Sequence, residues 1–266
     1  MKFDYEETTE DLQTRINIHD KYGGRDIDSW MLEILDLEPG MRIYDVGCGS
    51  GKQLLAYHEA LAGEADIAGG DVNQELLDQA RQRVAEVSDD IDVMYLDFNK
   101  RFPIEDDAYD LVSCCFAIYY AEDIPFTIGE MHRILKPGGR LFTTGPMPDN
   151  KQVFYDIIQE ATGKPIPPMP GSSRYDSEIL GSLRQTFDQV EVHRFENPLR
   201  FPEAAPFIEY TRASLSEDRK LWGGFFDDKE DFNQVMERIS QVAERRCQAE
   251  GQLVMTKVVG GFLATK

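Results

Sequence analysis

The chain has few basic residues and no long apolar run. Its 266 residues include 28 Lys and Arg against 49 Asp and Glu, which gives a formal net charge of −21. A surface that binds nucleic acid needs clustered positive charge to neutralise phosphates, so this composition argues against a DNA or RNA partner. No apolar stretch reaches the roughly 18 residues that a membrane-spanning helix requires. The simplest interpretation of the acidity is a solvated surface that favours solubility.

Cysteine is also scarce. The four cysteines are an adjacent pair, Cys114 and Cys115, and two distant single residues, Cys48 and Cys247. This spacing matches neither a metal site nor the disulfide framework of a small secreted domain. The acidic residues 1–7 lack the basic start and apolar middle of a secretory signal. We therefore expect a cytoplasmic protein, a monomer or homodimer, that binds no metal.

Strands and helices alternate through the first half of the chain. The apolar pattern predicts strands at 42–46, 66–70, 91–96, 111–116 and 140–144. Alternation of this kind is typical of a parallel sheet built from βαβ units. Further strands are predicted at 190–195 and 253–264, and a helical region at 203–249. We expect one domain over 1–266, with an N-terminal helical lid (1–40), a ligand-binding core (41–146), and cover insertions with the last strands (147–266).

A glycine-rich loop follows the first predicted strand. Residues 43–51 read Ile-Tyr-Asp-Val-Gly-Cys-Gly-Ser-Gly, with glycines at 47, 49 and 51. Glycine allows a sharp turn and a close approach of the backbone to a ligand. A dinucleotide fingerprint would place its third glycine at position 52, which is Lys. The carboxylate of Asp45 would repel a pyrophosphate but attract a ligand that carries an ammonium and a sulfonium.

Carboxylates follow the next two predicted strands. Asp71 ends the second strand, where it can accept hydrogen bonds from ribose hydroxyls, as such carboxylates do in dinucleotide sites. Asp97 follows the third strand and can accept from an adenine amino group, while Phe98 can pack against the ring. The plainer alternatives are a helix N-cap for Asp71 and a loop carboxylate for Asp97.

Taken in order, these motifs resemble those of the class I, seven-strand S-adenosylmethionine-dependent methyltransferases. The matching runs are Asp45 to Gly51, Asp71, Asp97-Phe98, Tyr109-Asp110-Leu111-Val112 and Leu135-Lys-Pro-Gly-Gly-Arg140. The resemblance covers about residues 40 to 145. It implies a doubly wound, mostly parallel seven-stranded α/β sheet with helices on both faces and an antiparallel last strand. N-terminal lid helices and late helical insertions would be added to that core.

The resemblance also implies roles for individual residues. Asp45 and the glycines Gly47, Gly49 and Gly51 would face the methionine part and the ribose of S-adenosylmethionine. Asp71 would hold the ribose hydroxyls, Val72 would touch adenine, and Asp97 would bind the adenine amino group. Phe116 would lie beside the methionine moiety, and Tyr22 would close over the cofactor. The product would be S-adenosylhomocysteine.

No catalytic residue stands out. Methyl transfer is an in-line displacement that depends on alignment and exclusion of water, and it needs a general base only when the acceptor must lose a proton. The candidates are Tyr119 and Tyr120, just past the fourth strand, and His19, close to Tyr22. Ordinary packing of the tyrosines and a surface position for the histidine are the plainer alternatives.

These observations favour transfer of the methyl group to a small molecule. Residues 115–120 lack the Asn/Asp-Pro-Pro-aromatic motif of methyltransferases that act on base amines. Insertions at 147–185 and 200–250 contain aromatic residues that would either line a closed acceptor pocket or fill a core of their own. A protein methyltransferase and a nucleotide-binding oxidoreductase on a similar sheet remain the alternatives.

Overall fold

The computed structural model describes residues 9–214, 219–226 and 229–266. The chain divides into two compact units. The larger unit comprises Asp26–Met147, Pro170–Phe195 and Val259–Lys266, and the smaller unit comprises Met1–Arg25, Pro148–Met169 and Glu196–Val258. Residues 1–8 of the predicted lid, and 215–218 and 227–228 of the second predicted insertion, lie outside the described residues.

The strands form one seven-stranded sheet of order β3-β2-β1-β4-β5-β7-β6. Their bounds are β1 Arg42–Val46, β2 Asp66–Asp71, β3 Asp92–Tyr95, β4 Tyr109–Cys115, β5 Leu135–Pro146, β6 Gln189–Phe201 and β7 Leu253–Thr265. Strands β1 to β5 pair in parallel, and β7 pairs antiparallel to β5. The strand order reverses beside β1, so the predicted doubly wound, mostly parallel sheet is confirmed.

Helices connect these strands and extend the chain at both ends. Their bounds are α1 Thr9–Tyr22, α2 Ile27–Leu35, α3 Lys52–Ala60, α4 Gln74–Ala85, α5 Ile124–Ile134, α6 Gln152–Thr162, α7 Pro170–Arg174, α8 Leu180–Thr186, α9 Ala204–Ala213, α10 Arg219–Trp222 and α11 Lys229–Glu250. A short 3₁₀ helix at Ile118–Tyr120 follows β4, and a π-helical turn at Tyr175–Ile179 precedes α8. The helical region predicted at 203–249 is therefore divided into three helices.

Local capping explains where several helices begin. The Asp26 carboxylate accepts hydrogen bonds from the amides of Asp28 and Ser29, so Asp26 is the N-cap of α2. The Ser29 hydroxyl also donates to this carboxylate, and it is the main cause that lowers the pKa of Asp26, followed by the two amides. Asn73 caps α4 in the same way, and Asp123 caps α5 just before Pro125. Short polar side chains favour this position because they satisfy amides that the first turn leaves unpaired.

Side chains alternate between the two faces of the sheet. On one face Ile43 of β1 and Leu111 of β4 share a buried cluster with Trp30 of α2 and Leu54 of α3. Helix α2, which the sequence had assigned to the lid, thus packs within the larger unit. On the other face, Tyr175 stacks on Phe262 with ring centroids 4.4 Å apart and donates a hydrogen bond to the backbone oxygen of Thr143.

The run Pro-Gly-Gly at 137–139 forms a bulge inside a longer strand. Strand β5 already begins at Leu135, and its pairing with β4 shifts between Tyr109 and Leu111. Gly138 has φ +78°, which glycine adopts without steric strain. Extra residues in one strand of a pair produce this irregularity. The local sequence Pro-Gly-Gly is equally compatible with a turn, so it does not predict the bulge.

The smaller unit has an aromatic core of its own. Phe154 of α6 packs edge-on against Phe207 and Tyr210 of α9, and all three are fully buried. Trp222 and Phe232 are buried in the same cluster. Most aromatic residues of the predicted insertions therefore fill this core. Within the described residues, no helix is both long and apolar enough to cross a membrane.

Candidate functional site

All three glycines of the loop after β1 are in the left-handed region, with φ +73° at Gly47, +52° at Gly49 and +80° at Gly51. A Cβ at position 47 would lie 2.7 Å from the Cβ of Ala117, and a Cβ at position 51 would lie 3.2 Å from that of Ala80. A Cβ at position 49 would meet nothing within 4 Å. Close packing therefore requires Gly47 and Gly51, whereas Gly49 faces open space.

The amides of this loop are used inside the chain. Those of Gly47 and Cys48 donate to the Gly70 oxygen at 2.7 and 3.0 Å, and that of Gly51 donates to the Cys48 oxygen at 2.9 Å. The Gly49 amide donates to the Asp71 carboxylate at 2.9 Å. A dinucleotide loop would offer such amides to the pyrophosphate, so this arrangement does not fit that ligand.

Gly70 contributes to the loop in a way that the sequence analysis missed. A Cβ at position 70 would lie 2.5 Å from the Cβ of Leu96 and 2.6 Å from the Tyr44 hydroxyl. Only glycine lets β2 come this close to its neighbours while its carbonyl accepts both loop amides. The signal was present as the glycine pair at 69–70 near the end of a buried strand.

Asp45 lies buried at the end of β1, with 1% of its surface exposed. Ser113 on β4 pairs with Asp45 in the strand register, and its hydroxyl donates to the Asp45 Oδ1 at 2.6 Å. Burial raises the pKa of Asp45 to about 7; the Ser113 hydrogen bond opposes that rise, and the nearby charge of Asp71 adds to it. Desolvation disfavours the ionised form of a buried carboxyl, whereas a positive charge placed beside it would favour that form.

Asp71 ends β2 and links two loops. Its Oδ2 accepts from the amide of Gly49, and its Oδ1 accepts from the amide of Asn73 at 2.8 Å. Asn73, not Asp71, is the N-cap of the following helix. A carboxylate has about four acceptor positions, so Asp71 keeps acceptor capacity for ribose hydroxyls.

The residues predicted to contact adenine follow β2 and β3. Val72 is exposed, and the Phe98 ring lies beside the glycine loop, 3.9 Å from where a Cβ at position 47 would stand. The Asp97 carboxylate accepts from the Asn99 amide and pairs with Lys100 at 2.8 Å. The Lys100 hydrogen bond is the main cause that lowers the pKa of Asp97.

The chain after β4 exposes aromatic side chains. Phe116 has φ +56°, is 37% exposed, and donates its amide to the Thr144 oxygen at 3.0 Å. Tyr120 is 71% exposed, and its ring centroid lies 4.7 Å from that of Tyr119. A bulky residue in the left-handed region is strained, and such strain often occurs at functional sites.

His19 and Tyr22 belong to the smaller unit. The His19 ring stacks on Tyr210 with centroids 5.7 Å apart, and Tyr22 packs against Phe201 at 5.1 Å. Their roles as base and cover stay predictions. Among the described residues, no group of three His, Cys, Asp or Glu side chains is placed to hold a metal ion.

Comparison with known proteins agrees with this geometry. A family model described as a methyltransferase domain matches residues 43–139. A demethylmenaquinone methyltransferase from Staphylococcus epidermidis is 28% identical over 128 residues, which cover 47% of this chain and 52% of that protein. The chain thus spans about half the length of the curated relatives it matches.

Solved structures share the fold at low sequence identity. A SAM-dependent methyltransferase from Aquifex aeolicus has a TM-score of 0.53 and 18% identity, covering 71% of this chain and 91% of that one. A Haemonchus contortus phosphoethanolamine N-methyltransferase in complex with S-adenosyl-L-methionine has a TM-score of 0.54 and 16% identity, covering 96% and 56%. Residues 43–139 thus form a methyltransferase domain, and the chain shares the seven-stranded fold of solved S-adenosylmethionine-dependent methyltransferases.

Proposed function

We propose that this chain binds S-adenosylmethionine at the carboxyl ends of β1, β2 and β3 and transfers its methyl group to a small molecule. The observation that carries this proposal is the buried Asp45 carboxyl beneath a loop whose amides are already paired. A buried acid without a cation partner suits a positively charged ligand, and paired amides do not suit a pyrophosphate.

The residues present fit this cofactor. Gly49 leaves open space above the loop, where a side chain would intrude on a ligand. Asp45 would face the ammonium group, and Asp71 would accept from the ribose hydroxyls. Asp97 would accept from the adenine amino group, in competition with Lys100. Val72 and Phe98 supply apolar surface for the ring.

The chemistry requires little of the protein beyond placement. When bound, the cofactor supplies an electrophilic methyl group on a sulfonium. The chain's own residues would orient that group, exclude water and attract positive charge through Asp45. Tyr119 and Tyr120, at the end of the neighbouring strand, would hold the acceptor or share its proton; an acceptor that is already a nucleophile needs no base.

A small acceptor is favoured over a macromolecule. The net charge of −21 would repel a nucleic acid. The curated relative named above and the Haemonchus enzyme are named for small acceptors, demethylmenaquinone and phosphoethanolamine. We also propose a cytoplasmic location, because all four cysteines are free thiols.

Two experiments test the proposal. Titration calorimetry should show binding of S-adenosylmethionine and S-adenosylhomocysteine, and no binding of NADH. Radiolabelled methyl groups from the cofactor should then appear in a small-molecule extract rather than in protein or nucleic-acid fractions. Binding of NADH alone would overturn the cofactor assignment, and label confined to protein would overturn the acceptor class.

A further inference from the structure

A cluster of polar side chains lies buried beneath the glycine loop. Asp45 of β1 and Ser113 of β4 are opposite each other in the register, and the serine hydroxyl donates to the carboxyl at 2.6 Å. Tyr57 of α3 is buried in the cluster that covers this face of the sheet. Thr144 of β5 is also fully buried. Among the described residues, the buried hydroxyls of Tyr57 and Thr144 add two polar groups to this cluster.

Ser113 is the only side chain of the described residues that hydrogen-bonds Asp45. The titratable groups that interact with Asp45 are Asp71 at the end of β2, Tyr44 on β1, Cys48 in the loop, Tyr57 on α3, and Cys114 and Cys115 on β4. Burial raises the pKa of the three thiols and of both phenols, so all five are neutral near pH 7.

The charges beyond this ring do not neutralise Asp45. Asp28 is close enough to act on Cys115, but it is paired with Lys52 at 2.7 Å. Arg81 acts on Cys48 and is paired with Asp78. Asp71 is therefore the charged group that acts most strongly on Asp45, and it opposes ionisation. Among the described residues no cation is paired with Asp45, so a cationic ligand would supply the compensating charge.

We propose that Asp45 and Ser113 form a proton-linked cation site, in which binding of a ligand with an ammonium group expels a proton from Asp45 and Ser113 positions the resulting carboxylate. This inference rests on the proposed function. In the step, the O–H bond of the Asp45 carboxyl breaks, its electron pair stays on the carboxylate and the proton passes to solvent. The ammonium is unchanged, so the charge of the site is balanced by the ligand.

The protonation state of the free protein supports this linkage. Burial raises the pKa of Asp45 to about 7, so about half of the molecules hold the proton at pH 7. The Ser113 hydrogen bond favours the ionised form and keeps the pKa from rising further. Ser113 therefore acts through Asp45 as a positioning residue, and its removal should move the linkage to higher pH.

The first test is titration calorimetry with S-adenosylhomocysteine in buffers of different ionisation enthalpy. Binding should release about half a proton at pH 7, about nine-tenths at pH 6 and about one-tenth at pH 8. The affinity should fall about tenfold for each pH unit below 7 and level off above it. Affinity that does not change between pH 6 and 8, with no proton release, would overturn the inference while leaving the proposed function intact. No binding at any pH would instead reject the proposed function.

Variants assign the effect to Ser113. Ser113→Ala should move the midpoint of proton release upward by about one pH unit and weaken binding at pH 7 several-fold, because the carboxylate loses a hydrogen bond from a donor. Ser113→Thr keeps the hydroxyl and should restore both values. Ser214 is an equally buried serine whose hydroxyl bonds a backbone oxygen, so Ser214→Ala serves as the matched control and should change neither.

A role for Ser113 in packing alone predicts a different pattern. Ser113→Ala would then lower the thermal midpoint and leave the pH dependence of binding unchanged, which would overturn its assignment. If Ser113→Ala does not fold, Asp45→Asn gives an independent readout. It should bind S-adenosylhomocysteine more weakly and release no proton at pH 7, and continued release would locate the titrating group elsewhere.

Discussion

The loops after β1 and after β4 leave neighbouring strands at the same edge of the sheet, yet they are built in opposite ways. In the first, the three glycines adopt the left-handed conformation. The amides of residues 47, 48, 49 and 51 donate to oxygens within the chain. In the second, the bulky Phe116 adopts that conformation, and Phe116 and Tyr120 expose their rings. The first loop is preorganised by steric and hydrogen-bond constraints, as suits the proposed cofactor. The second presents exposed aromatic surface, as suits the proposed acceptor.

The largest expected effect concerns the carboxyl buried under the first loop. The folded protein binds a proton at Asp45 that the unfolded chain releases, because burial raises this pKa from 3.8 to about 7. The stability this contributes is present below about pH 4 and is lost as the pH rises to about 7. Asp45→Asn should remove this slope and make the ligand-free protein more stable at pH 8, on the order of 3 kcal/mol in denaturant unfolding.

The control for that variant is a carboxyl at the end of another strand. Lys100 lowers the pKa of Asp97, so Asp97→Asn should bring no gain in stability at pH 8. If Asp45→Asn is less stable than the unmodified protein at that pH, the buried carboxyl does not destabilise the fold. The contrast between the two loops would then be wrong.

Gly47→Ala tests the steric constraint in the first loop. The new side chain would be strained at φ +73° and would collide with Ala117. We expect a loss of about 2–4 kcal/mol in the free energy of unfolding. Gly138 has a similar φ but open space around a Cβ, so Gly138→Ala should cost only about 1–2 kcal/mol. Equal costs would show that packing against Ala117 is unimportant.

Asp71→Ala tests the carboxylate that ends β2 and accepts from the Gly49 amide of the first loop. The variant should lose about 1.5–3 kcal/mol of binding free energy for S-adenosylhomocysteine, the scale of hydrogen bonds to a charged group. Calorimetry measures this directly. Asp78 is an exposed carboxylate on α4, and Asp78→Ala should bind with unchanged affinity. Unchanged affinity in the Asp71 variant would reject its role.

Phe116 provides the corresponding test in the second loop. At φ +56° glycine is unstrained and alanine is not. Phe116→Gly should therefore be more stable than Phe116→Ala by about 1 kcal/mol, by chemical denaturation. Tyr95 is an exposed strand residue, where the same pair of substitutions should show the opposite order. The same order at both positions would mean that Phe116 is not strained.

The smallest expected effect on stability is at Tyr120. Because its side chain is 71% exposed, Tyr120→Ala should change the free energy of unfolding by no more than about 0.5 kcal/mol. Its effect should instead appear as a raised KM for the acceptor once one is found, with unchanged cofactor affinity. Unchanged acceptor kinetics would remove Tyr120 from the proposed acceptor site.

The glycine loop and the carboxylates that end strands could be predicted from the sequence because their signals are local. The strand at 42–46 was predicted with its observed bounds. Glycines that must adopt a positive φ, and carboxylates that end strands, can be recognised from the few residues around them. The roles of His19, Tyr22, Tyr119 and Tyr120 depend on long-range placement, and they stay predictions.

The sequence by itself determined the order of the strands and the glycines of the loop after β1, because backbone preference and apolar periodicity act over short distances. Only the tertiary structure decided the bulge at Gly138, the packing of α2 on the sheet and the division into two units. It also brought Ser113 to Asp45, 68 positions away in the chain. That contact follows from strand register, which is set by how whole faces of the sheet are buried and not by any pattern within either strand.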